Sequence, residues 1–141
     1  MSALFRRIIS TSKAPKPLNG APYNQAVVMN NFVFLSGVLG MDKDTNKLVD
    51  GGVAAQARQA LKNIGYILQA SGASYETVIK STIMLNDIND FQAVNEVYKE
   101  FFTKEFPARS TFQIGKLPLE AAVEIEVIAG VGKVETETSK L

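Results

Sequence analysis

The sequence predicts an α+β domain in which a mostly antiparallel sheet is covered on one face by two helices, with elements in the order ββαβαββ. Three observations lead there. Two segments, Val53 to Ala70 and Phe91 to Phe102, repeat their apolar residues with a helical period, while short β-branched runs lie around and between them. Runs of strands that neighbour one another in sequence favour antiparallel pairing. Segments such as Phe32 to Leu35 (FVFL) are apolar on both sides, whereas a solvated sheet face would alternate with polar residues. Two helices cover only one face, so the second is expected to be buried against another copy of the chain.

The elements follow in order. Ala26 to Met29 and Phe32 to Ser36 flank Asn30-Asn31, a dipeptide that tolerates positive φ at both central positions of a tight turn, and read as a β-hairpin. Asp42 to Gly52 is polar and glycine-rich, so a loop or a second short hairpin turn is expected. From Val53 to Ala70, apolar residues at 53, 57, 60, 61, 64, 67 and 68 define the first helix, and Gly72 is placed to stop it. Val78 to Leu85 (VIKSTIML) suits a central strand. Asp87 or Asn89 can cap a second helix whose stripe of Phe91, Val94, Val97, Tyr98, Phe101 and Phe102 ends before Pro107. Arg109 to Ile114 reads as a strand, Lys116 to Ala122 as a connection, and Val123 to Val131 as a last strand that begins in strict alternation.

Composition narrows the chemistry. The chain has 141 residues, 15 basic against 14 acidic side chains and a net charge of +1, so no global field exists to hold nucleic acid, and such a partner is not expected. It contains neither histidine nor cysteine. That excludes disulfides, thiolate nucleophiles, Ser-His-Asp triads and zinc or haem sites built on those ligands, and no metal or cofactor is expected. The apolar stretches are far shorter than the roughly 20 residues a bilayer requires, so no membrane partner is expected either.

The two ends carry conflicting addresses. Met1 to Lys16 holds Arg6, Arg7, Lys13 and Lys16 with several hydroxyl residues and no acid, the composition of a mitochondrial transit peptide. The competing reading makes Ile8 and Ile9 the start of the folded domain. The last three residues, Ser139-Lys140-Leu141, match a peroxisomal address. A cytoplasmic location with peroxisomal or mitochondrial targeting is the resulting expectation.

Few side chains suit catalysis. Arg109 opens a strand after Pro107-Ala108, where its fork of donors can clamp a carboxylate, although a surface arginine or a structural ion pair is the commoner use. Glu124 and Glu126 project from one face of the last strand, with Val123, Ile125 and Val127 on the other. Those carboxylates are an ordinary solvated face unless a partner chain seals it. Tyr23, Ser36, Asn89 and Asn95 are polar residues beside apolar runs, each commonly a turn or helix hydrogen-bonder.

The segment Phe106 to Pro118 (FPARSTFQIGKLP), followed by Val123-Glu124-Ile125, resembles the signature of the RidA (YjgF) family of enamine/imine deaminases. Further segments are similar and stand in family order: Ser12 to Pro15, Pro22-Tyr23, Gln25-Ala26, Leu35 to Gly37, Gly52 to Ala57, Gln59 to Asn63, Ile88 to Phe91 and Val94-Asn95. The likeness is greatest to the animal members. It implies one domain over residues 1–141, with a family core at about 7–130, a basic end at 1–6 and a polar tail at 131–141. It also implies a chorismate-mutase-like fold, a homotrimer, and a small imino or oxo acid bound in each inter-subunit cleft.

By the same resemblance, Arg109 binds the substrate carboxylate and Glu124 is the catalytic glutamate. Tyr23 and Asn95 are polar residues of the cleft, Tyr23 assisting catalysis and Asn95 binding substrate. Ser36 and Gly37 bind it through a hydroxyl and a backbone contact, and Thr111, which stands where many bacterial members have cysteine, through its main chain. Ala21 and Val38 replace a frequent glycine and glutamine. The implied reaction is hydrolysis of 2-iminopropanoate and 2-iminobutanoate, released by pyridoxal-phosphate dehydratases, to the 2-oxo acid and ammonia. Alternatives from the same family are a translation inhibitor or ribonuclease and a chaperone-like role. A small-carboxylate binding module without turnover is a third. If the Arg109 and Val123 strands formed a simple hairpin, Arg109 and Glu124 would lie roughly 17 Å apart along it. A shared cleft then needs a different strand pairing or a glutamate from a neighbouring subunit.

Overall fold

The computed structural model describes residues 1–140. Over these, the strands are β1 (Arg6–Ile9), β2 (Ala26–Met29), β3 (Phe32–Leu35), β4 (Val38–Leu39), β5 (Val78–Leu85), β6 (Ala108–Gln113) and β7 (Val123–Gly130). The helices are α1 (Gly52–Ser71) and α2 (Phe91–Phe101). The strands form one mixed sheet in the order β1-β2-β3-β7-β5-β6, with β4 also paired to β7. Every pairing is antiparallel except β5 with β6.

Helix α1 forms where the apolar period is cleanest, and Ala57, Ala60, Leu61, Ile64, Ile67 and Leu68 are buried against the sheet. Leu61, Ile64 and Leu68 each stabilise the fold by about 1.5–3 kcal/mol through that burial. The helix stops at Gly72, which takes the left-handed conformation at φ 82° and donates its N–H to the Leu68 and Gln69 carbonyls. In α2, Val94, Val97 and Tyr98 are buried. Arg58 of α1 clamps Glu100 of α2 through two hydrogen bonds of 2.9 and 2.7 Å. On β7, Val123, Ile125, Val127 and Ala129 face this core, leaving Glu124, Glu126 and Ile128 on the other side.

Several expectations change in detail. Arg6 to Ile9 pair with β2, so Ile8 and Ile9 do begin the sheet, and Arg7 donates to the Ser71 carbonyl at the end of α1 at 2.9 Å. Removing residues up to Lys16 as a presequence would delete that strand. Only Asn30 of the hairpin dipeptide has positive φ. Asp87 caps the short turn Ile88–Asp90 by accepting from the Asn89 N–H, and α2 itself starts at Phe91. The Asp42–Gly52 segment is a turn region closed by a single bridge between Met41 and Leu48. Leu141, on which the Ser139-Lys140-Leu141 address depends, lies outside the described residues.

No hairpin joins β6 to β7. Strand β5 lies between them, because the helical crossover β5-α2-β6 returns the chain parallel to β5. The face opposite the helices is left open. On it Ile8, Phe32, Phe34 and Phe112 are each 45–48% exposed, and the strand registers put them on the same side as Glu124 and Glu126. Among the described residues, no helix is long and apolar enough to cross a membrane.

Candidate active site

Strands β3 and β4 both pair with β7, but Phe34 to Val38 advances four residues while Ile128 to Ile125 advances three. The extra residue is a bulge at Leu35–Gly37, and it turns the Ser36-Gly37 backbone toward Glu124. Gly37 sits so close to the Glu124 carboxyl that a Cβ there would overlap it. Glycine is the residue that leaves this carboxyl its place.

A cavity of about 250 Å³ opens here, lined by Tyr23, Ser36, Gly37 and Glu124 together with Lys16 and an apolar wall that includes Val38. Its rim is pinned by Gln25, buried, whose side-chain amide donates to the Thr11, Ala14 and Pro15 carbonyls and accepts from the Thr11 N–H. The Tyr23 hydroxyl accepts from the Leu18 N–H at 2.9 Å, which leaves its own proton free to be donated. Ser36 donates its hydroxyl to the Asn24 carbonyl at 2.6 Å. Glu124 is half-buried and accepts no hydrogen bond among the described residues. Burial pushes its carboxyl above the usual carboxylate range, and the negative charge of Glu126 adds to the rise. A carboxyl so raised holds its proton to higher pH than an exposed one.

Arg109 and Asn95 form a second group. Arg109 is opposite Ser81 in the parallel β5–β6 register, on the helix-covered face. Its guanidinium donates to the Asn95 side-chain oxygen at 2.7 Å and lies over the rings of Phe91 and Tyr98. A cavity of about 260 Å³ adjoins it, lined also by Gln92, Lys99, Phe106 and Pro107. Thr111 follows two residues along β6, its hydroxyl oxygen buried without a partner among the described residues. Asn89 lies apart, its backbone N–H used in the Asp87 cap.

Within one chain the two groups do not meet. Across β7-β5-β6, Arg109 and Glu124 are three registers and two strands apart, about 10 Å in each direction, and they project from opposite faces. The different strand pairing is present, and by itself it does not bring them together. Sequence reasoning did not single out Lys16, Phe91 or Tyr98 for the site. For the two rings a signal existed: Phe91, Asn95 and Tyr98 recur at the i, i+4, i+7 spacing of one helical stripe. Among the described residues, no cluster of three or more His, Cys, Asp or Glu side chains is placed to hold a metal ion.

Comparison with known proteins agrees with this architecture. The family model described as endoribonuclease L-PSP matches residues 11–131. The chain is 56% identical to the "RutC family protein UK114" of Drosophila melanogaster, over 98% of this chain and 99% of that one. It is 48% identical to the 2-iminobutanoate/2-iminopropanoate deaminase of Homo sapiens, over 96% and 98%. Among solved structures, E. coli TdcF with bound serine superposes with a TM-score of 0.82 at 38% identity, covering 88% of this chain and 98% of that one. With a family model spanning most of its length and relatives this similar from end to end, the chain belongs to the endoribonuclease L-PSP family, that of YjgF and RidA.

Proposed function

We propose that this protein is an imine deaminase that hydrolyses 2-iminopropanoate and 2-iminobutanoate to the 2-oxo acid and ammonia, in clefts completed between copies of a homotrimer. The observation that carries the reading is Glu124: a half-buried carboxyl of raised pKa, free of hydrogen bonds among the described residues, at the wall of a cavity of about 250 Å³. The names of relatives, deaminases in human, goat and cow, support the same chemistry.

The substrate has a carboxylate beside an electrophilic C=N carbon. Arg109 of one copy binds that carboxylate through its free donor edge, which fixes where the reacting carbon lies. Glu124 of a neighbouring copy takes a proton from water as the oxygen bonds to that carbon and passes it to the imine nitrogen, giving a neutral carbinolamine. The same carboxyl then takes the carbinolamine hydroxyl proton as the C=O bond forms and delivers it to nitrogen as the C–N bond breaks and ammonia leaves. Tyr23, with its hydroxyl proton free, and the Ser36-Gly37 backbone hold water and nitrogen. Free imines already hydrolyse in water, so a site of this kind needs to lower only a modest barrier.

The open sheet face supports assembly, since Ile8, Phe32, Phe34 and Phe112 form an apolar surface of the kind that protein interfaces cover. A ribonuclease reading lacks such support: the chain has no histidine, and Phe91, Tyr98 and Phe102 pack against α2's own surroundings instead of forming a base-stacking platform.

The test is imine release from a threonine dehydratase reaction, with and without the protein. Arg109→Lys keeps the charge and loses the fork, and turnover should collapse while fold and assembly persist. Glu124→Gln should lower turnover and still bind 2-oxobutanoate. Unchanged imine lifetime with the wild type, or wild-type kinetics in Arg109→Lys, would overturn the reading.

A further inference from the structure

Arg109 is held in an unusual way for a half-buried guanidinium. Its charge carries no carboxylate partner among the described residues, where ion pairs form elsewhere around Arg58, Lys43, Lys99, Lys116 and Lys133. Instead its carbon lies 5.4 Å from the Phe91 ring centre and 4.9 Å from that of Tyr98, both within cation–π range. One Nη donates to the Asn95 side-chain oxygen at 2.7 Å. All three residues come from one stripe of α2, so a single rigid element sets the plane of the guanidinium. The Tyr98 ring is itself fixed: its hydroxyl shares a 2.8 Å hydrogen bond with buried Ser81, the residue opposite Arg109 on β5, and the ring stacks on that of Phe102 with centres 4.3 Å apart.

We infer that Phe91, Asn95 and Tyr98 are positioning residues for the carboxylate anchor, forming a neutral cradle that orients Arg109 without neutralising it. This rests on the anchoring role given to Arg109 above. The physical point is the choice of neutral partners. A carboxylate in the Asn95 position would orient the guanidinium equally well, but it would also satisfy its charge and compete with the incoming anion. Ring faces and an amide oxygen restrict motion and leave the positive charge and the remaining N–H groups to the ligand. Asn95 on this view acts through Arg109 and does not itself bind substrate.

The experiment measures 2-oxobutanoate binding by titration calorimetry, KM and kcat for imine turnover, and thermal unfolding. The variants are Asn95→Asp, Phe91→Leu and Tyr98→Phe, with Arg109→Gln as reference. Asn95→Asp, nearly isosteric, draws the guanidinium into an internal ion pair and should weaken 2-oxobutanoate binding at least about tenfold, with KM rising more than kcat falls and the unfolding temperature held or raised. Phe91→Leu keeps apolar bulk and loses the ring face, and a loss of roughly three- to tenfold is expected. Tyr98→Phe keeps both rings and breaks only the Ser81 bond, so it should have the smallest effect and should alter the Arg109 side-chain signals in nitrogen-15 NMR spectra. If Phe91→Leu does not fold, the other two variants carry the same test. Binding within twofold of wild type in folded Asn95→Asp and Tyr98→Phe, with Arg109→Gln inactive, would overturn the cradle and leave the anchor standing. Wild-type binding in Arg109→Gln would overturn both.

Discussion

Gly37→Ala tests whether the position of the Glu124 carboxyl matters as much as its presence. A Cβ at residue 37 would lie 2.8 Å from Glu124 Cδ and 3.1 Å from Cγ, and closer still to Oε1, where ordinary contact begins at 3.4 Å. The carboxyl must therefore retreat by roughly 1 Å, and a displacement of that size in a catalytic group costs about 100-fold in rate, or about 2.7 kcal/mol of transition-state stabilisation. The fold should tolerate the change. Gly37 is not at positive φ, and the group that must move is the end of a flexible side chain, so stability should change by no more than about 1 kcal/mol. The assay follows imine released by threonine dehydratase, with urea unfolding as the stability control. A folded Gly37→Ala protein with wild-type turnover would show that the carboxyl need not stand where the bulge puts it.

Further outcomes follow from the same geometry. Folded Glu124 holds its proton to higher pH than the unfolded chain, whose ordinary value is 4.5. As pH rises through the window above 4.5, the native state binds more protons than the unfolded one, and stability falls. Glu124→Gln lacks this slope, so its stability relative to wild type should increase from pH 4 to pH 7, and a constant difference would contradict the burial argument. On the open face, wild-type light scattering should give three times 15.3 kDa, and Phe34→Asp should shift the mass toward one chain and abolish turnover. A monodisperse wild-type monomer would remove the shared cleft.

Helix α1 was legible in the sequence because its signal is local. Residues 57, 60, 61, 64, 67 and 68 lie on one stripe, and every one is buried. The alternation in β7 was legible for the same reason, and it places Glu124 and Glu126 together. Strand β4 spans two residues, too short for a period to register, and β1, four residues long like β2 and β3, lacks the turn signal that Asn30-Asn31 gives those two and is defined only by its partner. The face of Arg109 was not legible from the strand itself. It depends on β6 lying parallel to β5, a choice made by the α2 crossover, although strand-helix-strand order already contained the hint. The bulge at Leu35–Gly37 leaves no mark in composition and becomes visible only by counting registers across β7.

The opposed faces of Arg109 and Glu124 have a genetic consequence. If each cleft takes its arginine from one copy and its glutamate from the next, the two lesions belong to separate complementation groups within a single gene. An Arg109→Lys protein and a Glu124→Gln protein, each impaired alone, should recover activity when unfolded together and refolded as a mixture. In an equal mixture, about one quarter of the clefts receive both intact halves by chance, which sets the expected recovery. A double variant carrying both changes on one chain, mixed with wild type, gives the same fraction. No recovery from mixed trimers would mean that one chain supplies both groups.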